Sequence, residues 1–263
     1  MTKKIWWTDF KAPDFASIDP MKTIAMLPIA AVEQHGPHLP LGTDAIINRA
    51  HIDMLIGRLP DDIDLRILPV QAVGKSNEHL WAAGTVTHTA ENLIGSWVEL
   101  GLSVARAGLR KLVIVNSHGG NEEIMGIVAR ELRVRADMLV VKTGWGRFPP
   151  PEGLISDQER RHGIHGGDVE TSLMLYFRPD LVDMREAQEF VSIAAENERD
   201  FRYLRPTGTN AYSWIASDLN PSGAVGNAAI ATAEKGQAIA EETVARMLEL
   251  LLEVQAIGLP AKP

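Results

Sequence analysis

One feature constrains this chain more than any other: a short apolar run, Thr23 to Val32, that stops abruptly at Glu33-Gln34-His35-Gly36-Pro37-His38-Leu39-Pro40-Leu41-Gly42-Thr43-Asp44. The run is too short for a core helix and ends in turn-forming residues, so it reads as a strand buried on both faces. Side chains two apart on a strand share a side. Glu33 and His35 are therefore expected to project together from the strand end, with Asp44 swinging back from the following turn. Carboxylate, imidazole and carboxylate, with no sulfur, form a donor set suited to a hard or borderline divalent metal.

The pattern recurs. Lys111 to Asn116 reads as a second buried strand, leading into Ser117-His118-Gly119-Gly120-Asn121 and then a helix over about 122–135. Strand, glycine-rich turn and helix make the βα unit of an open parallel sheet, in which sites form beyond the carboxyl ends of the strands. A third polar cluster, His162 to Ser172, opens another helical run over 173–177. Elsewhere the pattern predicts a helix over 44–59 with Thr43 as N-cap and Pro60 as its stop, and a strand over 64–71. An irregular stretch, 72–89, comes next, then a helix over 90–107 and a strand over 138–143. Pro149-Pro150-Pro151 breaks the chain before the third cluster, 187–226 is the least patterned segment, and 228–254 reads as one long helix. Alternating strands and helices predict an α/β fold with a mostly parallel central sheet, as one domain over 1–263.

Three motifs, E-Q-H-G-P-H-L-P-L-G-T-D at 33–44, N-S-H-G-G-N at 116–121 and H-G-G-D-V-E-T-S at 165–172, resemble those of the creatininase (creatinine amidohydrolase) family. The resemblance runs from about Ile24 to the C-terminal helix. It implies a three-layer α/β sandwich and a two-metal hydrolase acting on C–N bonds, in a homo-oligomer that is often a hexamer. Position by position, Glu33, His35, Asp44 and His118 match the family's metal ligands, with Asp44 as the bridge, and His165 matches a histidine used near the scissile bond. Two departures stand out. Creatininase follows its second-motif histidine with a tyrosine and a metal-binding glutamate, whereas this chain has Gly119 and Gly120. Glu170 is the expected replacement ligand. Arg161 stands where creatininase has a tryptophan, so creatinine is not the expected substrate.

The site expected from these observations has Glu33, His35, Asp44, His118 and Glu170 as metal ligands, with His165 and Glu170 in the chemistry. Two divalent ions are implied, zinc by default, with manganese or iron accepting the same donors. Each residue also has a plainer reading: His118 in a tight turn, Glu170 as an acidic residue at a helix N-terminus, His165 as an outer partner of the ligands. His38 is expected to orient the turn, His51 to pack or lie at the surface, and His79, His88 and His162 to sit in loops, with His79 or His88 open to substrate. Trp145 is expected to wall the pocket, and Arg161, His79 and Arg147 to favour an anionic or polyhydroxylated ligand.

Composition narrows the class. Zero cysteines exclude thiolate ligands, and a net charge of -8 offers no basic stripe for nucleic acid. The apolar runs are too short for a membrane span and the N-terminus does not read as a signal peptide, which predicts a cytoplasmic enzyme with a small-molecule substrate. The leading expectation is hydrolysis of a cyclic or other small amide. Hydrolysis of an oxidised cyclitol or sugar derivative, deformylation, and trimming of a small modified peptide are the alternatives, beside a metal protein whose role is in assembly. Phe190, Phe201, Tyr203, Tyr212 and Trp214 in the unpatterned segment predict an exposed aromatic surface and hence self-association.

Overall fold

Strands covered on both faces read as continuous apolar runs, and two six-residue runs build the centre of this molecule. β1 (Ile24–Ile29) and β3 (Lys111–Asn116) are buried at every position. They pair in parallel from Ile24↔Lys111 to Ile29↔Asn116, so their carboxyl ends lie side by side. β2 (Leu65–Ile67) flanks β1 and β4 (Leu139–Gly144) flanks β3, giving the all-parallel order β2-β1-β3-β4. The computed structural model describes residues 4–259.

The pleat sorts side chains onto two faces. Ala25, Leu27 and Ile29 join Leu112 and Ile114 on one face, under α2 (Ala90–Arg106) and α3 (Glu122–Ala136). Ile24, Met26, Val113 and Val115 meet Ile52 and Leu55 of α1 (Thr43–Arg58) and Val244, Met247 and Leu251 of the C-terminal helix on the other. Helices, sheet and helices make the expected three layers. After β4 come α4 (Asp157–His162), α5 (Asp168–Phe177), β5 (Glu189–Phe190), α6 (Ile193–Asp200), α7 (Ala216–Leu219), β6 (Gly226–Asn227) and α8 (Ala233–Ala256). α5 packs tightly on α8, because a Cβ at Gly236 would fall 1.9 Å from the Ser172 carbonyl oxygen. The fully buried Lys111 ammonium donates to the carbonyls of Val254, Gln255 and Ile257, tying the end of α8 to the start of β3.

Several boundaries differ from the sequence expectation. Thr43 is the first residue of α1, not its cap, and its hydroxyl donates back to the Pro40 carbonyl. β2 stops at Ile67, and beyond it the chain is joined to β1 by the Leu68 amide on the Met26 carbonyl and by the Ile29↔Gln71 bridge. α8 begins at Ala233, where the Thr232 side chain accepts from the Lys235 amide, and the preceding Ala228–Ile230 forms a 3-10 turn. The 187–226 segment contains α6, α7 and an antiparallel pair, Phe190↔Gly226. Its aromatic residues are not uniformly exposed. Phe190 is buried, Tyr212 donates to Asn197 and Trp214 to the Pro206 carbonyl, which leaves Phe201 and Tyr203 in solvent. Among the described residues no helix is long and apolar enough to cross a membrane.

Candidate metal centre

β1 and β3 are neighbours in the sheet but far apart in the chain, since β2 is laid on the other side of β1 before the chain returns to add β3. The crevice beyond their carboxyl ends is thus a topological switch point. Three loops enter it.

The first follows β1. Glu33 N–H donates to the Leu41 carbonyl, closing the 33–41 turn, and Gly36 turns the chain with φ +73° where a Cβ would lie 2.7 Å from the Ala224 Cβ. His35 donates from Nδ1 to the Glu33 carbonyl, which leaves Nε2 facing inward. α1 then starts at the crevice. Asn48 ties it to the Ile29 carbonyl, and the Ser117 hydroxyl holds the Asp44 carbonyl at 2.9 Å. The second loop follows β3 and is stitched by its two asparagines. Asn116 Oδ1 accepts from the amides of His118 and Asn121, and Asn121 reaches across to the Ala30 carbonyl. The third carries His165, paired with Val225, and leads into α5 with Glu170 in its first turn. The buried Glu159 carboxylate anchors this loop by accepting from the Asp168 and Asn227 amides, in space left by Gly163, Gly167 and Gly226.

All six residues singled out by sequence meet in one buried network. Asp44 lies at its middle, with Oδ1 3.3 Å from His35 Nε2 and Oδ2 3.5 Å from His118 Nδ1. On the His35 side stands Glu170, 3.9 Å from the same Nε2 and fixed by the Gly166 amide. On the His118 side stands Glu33, 3.1 Å from Nδ1. His165 donates from Nε2 to the Gln34 carbonyl at 2.6 Å and turns Nδ1 toward Glu33 at 3.7 Å. Its ring lies against those of His35 and His79.

Charge is balanced within the network. Burial would depress His35, yet the Asp44, Glu170 and Glu33 carboxylates push it up to about 10. Burial likewise opposes His118, but Glu33 above all, with Glu78 and Asp44, raises it well above the ordinary histidine value. Glu33 stays well below the usual carboxylate range despite burial, held there above all by His118, with His35 adding to the effect. Glu170 is pushed up to about 7 by burial, with His35 opposing and Asp44 adding to the rise. His165 falls well below its ordinary value through burial and the neighbouring His35 charge, so its ring is neutral.

The donor set fits a metal. Glu33 Oε1 and Oε2, His35 Nε2 and Asp44 Oδ2 are buried polar atoms that make no well-directed hydrogen bond among the described residues, the contacts of Glu33 Oε1, His35 Nε2 and Asp44 Oδ2 being ion pairs only. Such atoms are costly unless paired, and a cation would satisfy all of them. Without one, protons on His35 and His118 supply the positive charge that three buried carboxylates require, and metal binding displaces such protons. Ligating atoms of Glu33, His35 and Asp44 lie within 4.8 Å of one another, as do those of His35, His165 and Glu170.

The structure adds two residues. Glu78 sits 3.4 Å from His118 Nε2 and His79 3.4 Å from Glu33 Oε1. Glu78 was not singled out by sequence and His79 was read only as a loop residue open to substrate; the available signal was an adjacent Glu-His pair in a long stretch without regular structure, which is often functional. Of the other histidines, His38 bonds the Thr171 hydroxyl and His51 is buried and stacked on Trp145, while His88 is exposed and His162 pairs with Glu198. A cavity of about 670 Å³ is lined by His118, His165 and Glu170 together with the apolar Trp145, Phe148, Ile155 and Leu173. Arg147 lies at this cavity and is paired with Glu122. Arg161, expected in the pocket, instead points toward Glu198, and it is Arg160 that lines the cavity, because adjacent residues of α4 face different sides.

The family profile described as creatinine amidohydrolase matches residues 8–251. The chain belongs to the creatininase family. It is a metal-dependent hydrolase of that family. It is 33% identical over 224 residues to the mycofactocin precursor peptide peptidase of Mycobacterium ulcerans, covering 83% of this chain and 80% of that one. It is 30% identical over 202 residues to the creatinine amidohydrolase of Pseudomonas putida, covering 69% and 73%. Its fold matches the crystal structure of a putative creatinine amidohydrolase from Bacteroides fragilis with a TM-score of 0.78 at 21% identity, over 99% of this chain and 100% of that one. Creatininase structures of the same fold include a manganese form (23% identical, TM-score 0.76) and a Zn-Zn form of a variant (24%, 0.75), each covering 97% of this chain and 100% of its own.

Proposed function

We propose that this creatininase-family hydrolase is binuclear and cleaves the C–N bond of a small amide. The observation that carries the reading is Asp44, whose two oxygens face His35 on one side and His118 on the other. One ion would be held by His35, Asp44 and Glu170, the other by Glu33, Asp44 and His118. Zinc is the first candidate, and manganese or iron suits the same donors. When bound, two such ions supply Lewis acidity that makes hydroxide available near neutral pH and stabilises charge on a carbonyl oxygen.

The chain's own residues move the proton and seat the substrate. His165 keeps its proton on Nε2 through the Gln34 carbonyl, so Nδ1 is the bare nitrogen turned toward the centre. It can take a proton from water and hand it to the departing nitrogen. Glu170 belongs to the chemistry by holding His35's side of the centre. The apolar wall of Trp145, Phe148, Ile155 and Leu173 excludes water from one side of the substrate.

The cavity is roomier than a five-membered ring amide needs, and this favours a second reading, a peptidase that trims a small peptide, in keeping with the relative from Mycobacterium ulcerans. A homo-oligomer, a hexamer as the family resemblance implies, is part of the same proposal, with exposed Phe201 and Tyr203 in support and light scattering as its check. So is a cytoplasmic location. The deciding experiment loads the protein with zinc or manganese and screens ring amides against short peptides by mass spectrometry. Amide cleavage that needs metal and is lost in His165→Ala is the expected result; cleavage that survives complete metal removal refutes the proposal.

A further inference from the structure

Two buried titratable side chains, Glu78 and His79, take no part in the proposed ligand set. Both sit on the short 3-10 turn Asn77–His79, on the side of the centre formed by Glu33 and His118.

His118 has two nitrogens with different surroundings. Nε2 lies 2.8 Å from the Lys75 carbonyl, which can only accept, so this nitrogen carries a proton. Nδ1, 3.1 Å from Glu33 and 3.5 Å from Asp44, is then the nitrogen available to a cation. Glu78 backs the arrangement. Its Oε1 lies 3.4 Å from His118 Nε2, and its Oε2 lies 3.2 Å from the Lys75 ammonium. Gly120 makes the approach possible, since a Cβ there would fall 2.1 Å from Glu78 Oε1 and 2.5 Å from His118 Nε2.

Gln34 settles the tautomer of His79. Its Oε1 accepts from the Gly36 amide, so its other terminal atom is the NH₂ that donates to the Gly223 carbonyl and to His79 Nδ1 at 2.7 Å. With Nδ1 accepting, the His79 proton is on Nε2, 3.4 Å from Glu33 Oε1. His79 therefore faces Glu33 as a donor and does not compete for the cation.

We propose that Glu78 and His79 are positioning residues for the Glu33–His118 half of the centre, Glu78 fixing the ring and proton of His118 and His79 fixing the carboxylate of Glu33. The inference rests on the reading of Glu33 and His118 as metal ligands. Outer partners of this kind typically change metal affinity by about 10–100-fold.

The test is zinc titration against a chromophoric chelator, resolving two dissociation constants, on the wild type and on Glu78→Ala, Glu78→Gln, His79→Leu and His118→Ala, with the melting temperature of each metal-free protein. Glu78→Ala and His79→Leu should each weaken one ion by about 10–100-fold, leave the other unchanged and leave the metal-free melting temperature unchanged. Glu78→Gln, which keeps the shape and an acceptor oxygen, should fall between wild type and Glu78→Ala. Wild-type constants in Glu78→Ala would overturn the proposal, as would equal weakening of both ions with a lower metal-free melting temperature. Loss of an ion as complete as in His118→Ala would make Glu78 a ligand and overturn its positioning role. Failure of the underlying reading looks different: His118→Ala would then keep both ions.

Discussion

Asp44→Asn removes one charge and one lone-pair-bearing oxygen at constant volume, from a side chain that is 2% exposed. Its effects can be read separately with and without metal. In the metal-free protein it takes a buried carboxylate away from the charged His35 and His118 rings, so the melting temperature should fall. With metal a second loss adds to the first. At a free ion concentration about 100 times Kd, each ion stabilises the wild type by about 2.7 kcal/mol. For a chain of this length that is about 5–10 °C per ion, and about twice that for two. The asparagine can offer oxygen to only one half and turns an amide N–H toward the other. An affinity loss of about 100-fold brings the free ion down to Kd, where only about 0.4 kcal/mol, or about 1–2 °C, remains. The assay is a thermal melt with and without zinc or manganese, paired with elemental analysis. A variant that keeps two ions and the full increment refutes Asp44 as the shared ligand. Loss of a single ion with the other intact assigns Asp44 to one half only.

Three further outcomes are expected. His165→Ala should keep both ions and lower kcat by about 10²–10⁴-fold, whereas Glu170→Gln should lower metal content and turnover together, checked by elemental analysis and steady-state kinetics. Lys111→Met leaves three carbonyls at the end of α8 without their donor and should cost about 2–4 kcal/mol in urea denaturation. His51 is held to about 4 by burial, with its bond to the Ile47 carbonyl opposing. Its folded value is below the unfolded one, so the stability it contributes is full above about pH 6.5 and is lost as pH falls toward 4, by about 3 kcal/mol in total. Denaturation between pH 7 and 4 should show a shallower decline in His51→Phe than in wild type.

The centre of the fold is legible because β1 is an apolar run and β3 has four apolar residues between Lys111 and Asn116, each leading into a polar turn, as burial on both faces of a strand favours. The edges are less so. Ala228-Ala229-Ile230 is good helix sequence, yet it precedes the Thr232 cap, and β6 just before it is drawn to β5 by pairing that no local pattern records. The short α4 does carry a local signal, the Ser156 cap with Glu159 three residues on and basic residues in its last turn, but six residues between a proline run and Gly163 give little periodicity. Without it the helical phase that turns Arg160 to the cavity and Arg161 toward α6 is not readable.

The site divides along the same physical line. Glu33, His35 and His118 lie in loops just past the carboxyl ends of β1 and β3, so chain direction brings them to one edge, and Asp44 and Glu170 lie in the first turns of helices that start there. Glu78 and His79 are placed by contacts distant in sequence: the Lys75 amide on Asn121, the Ser76 amide on Thr87, and Val86 on the Val32 carbonyl. Gly120 joins the two levels. In the sequence it marks the loss of a glutamate that creatininase uses as a ligand. In the structure the same missing side chain is the space through which Glu78 reaches His118 Nε2. A departure from a family motif can therefore be the opening for another carboxylate, and it becomes readable only when the surrounding loop is folded around it.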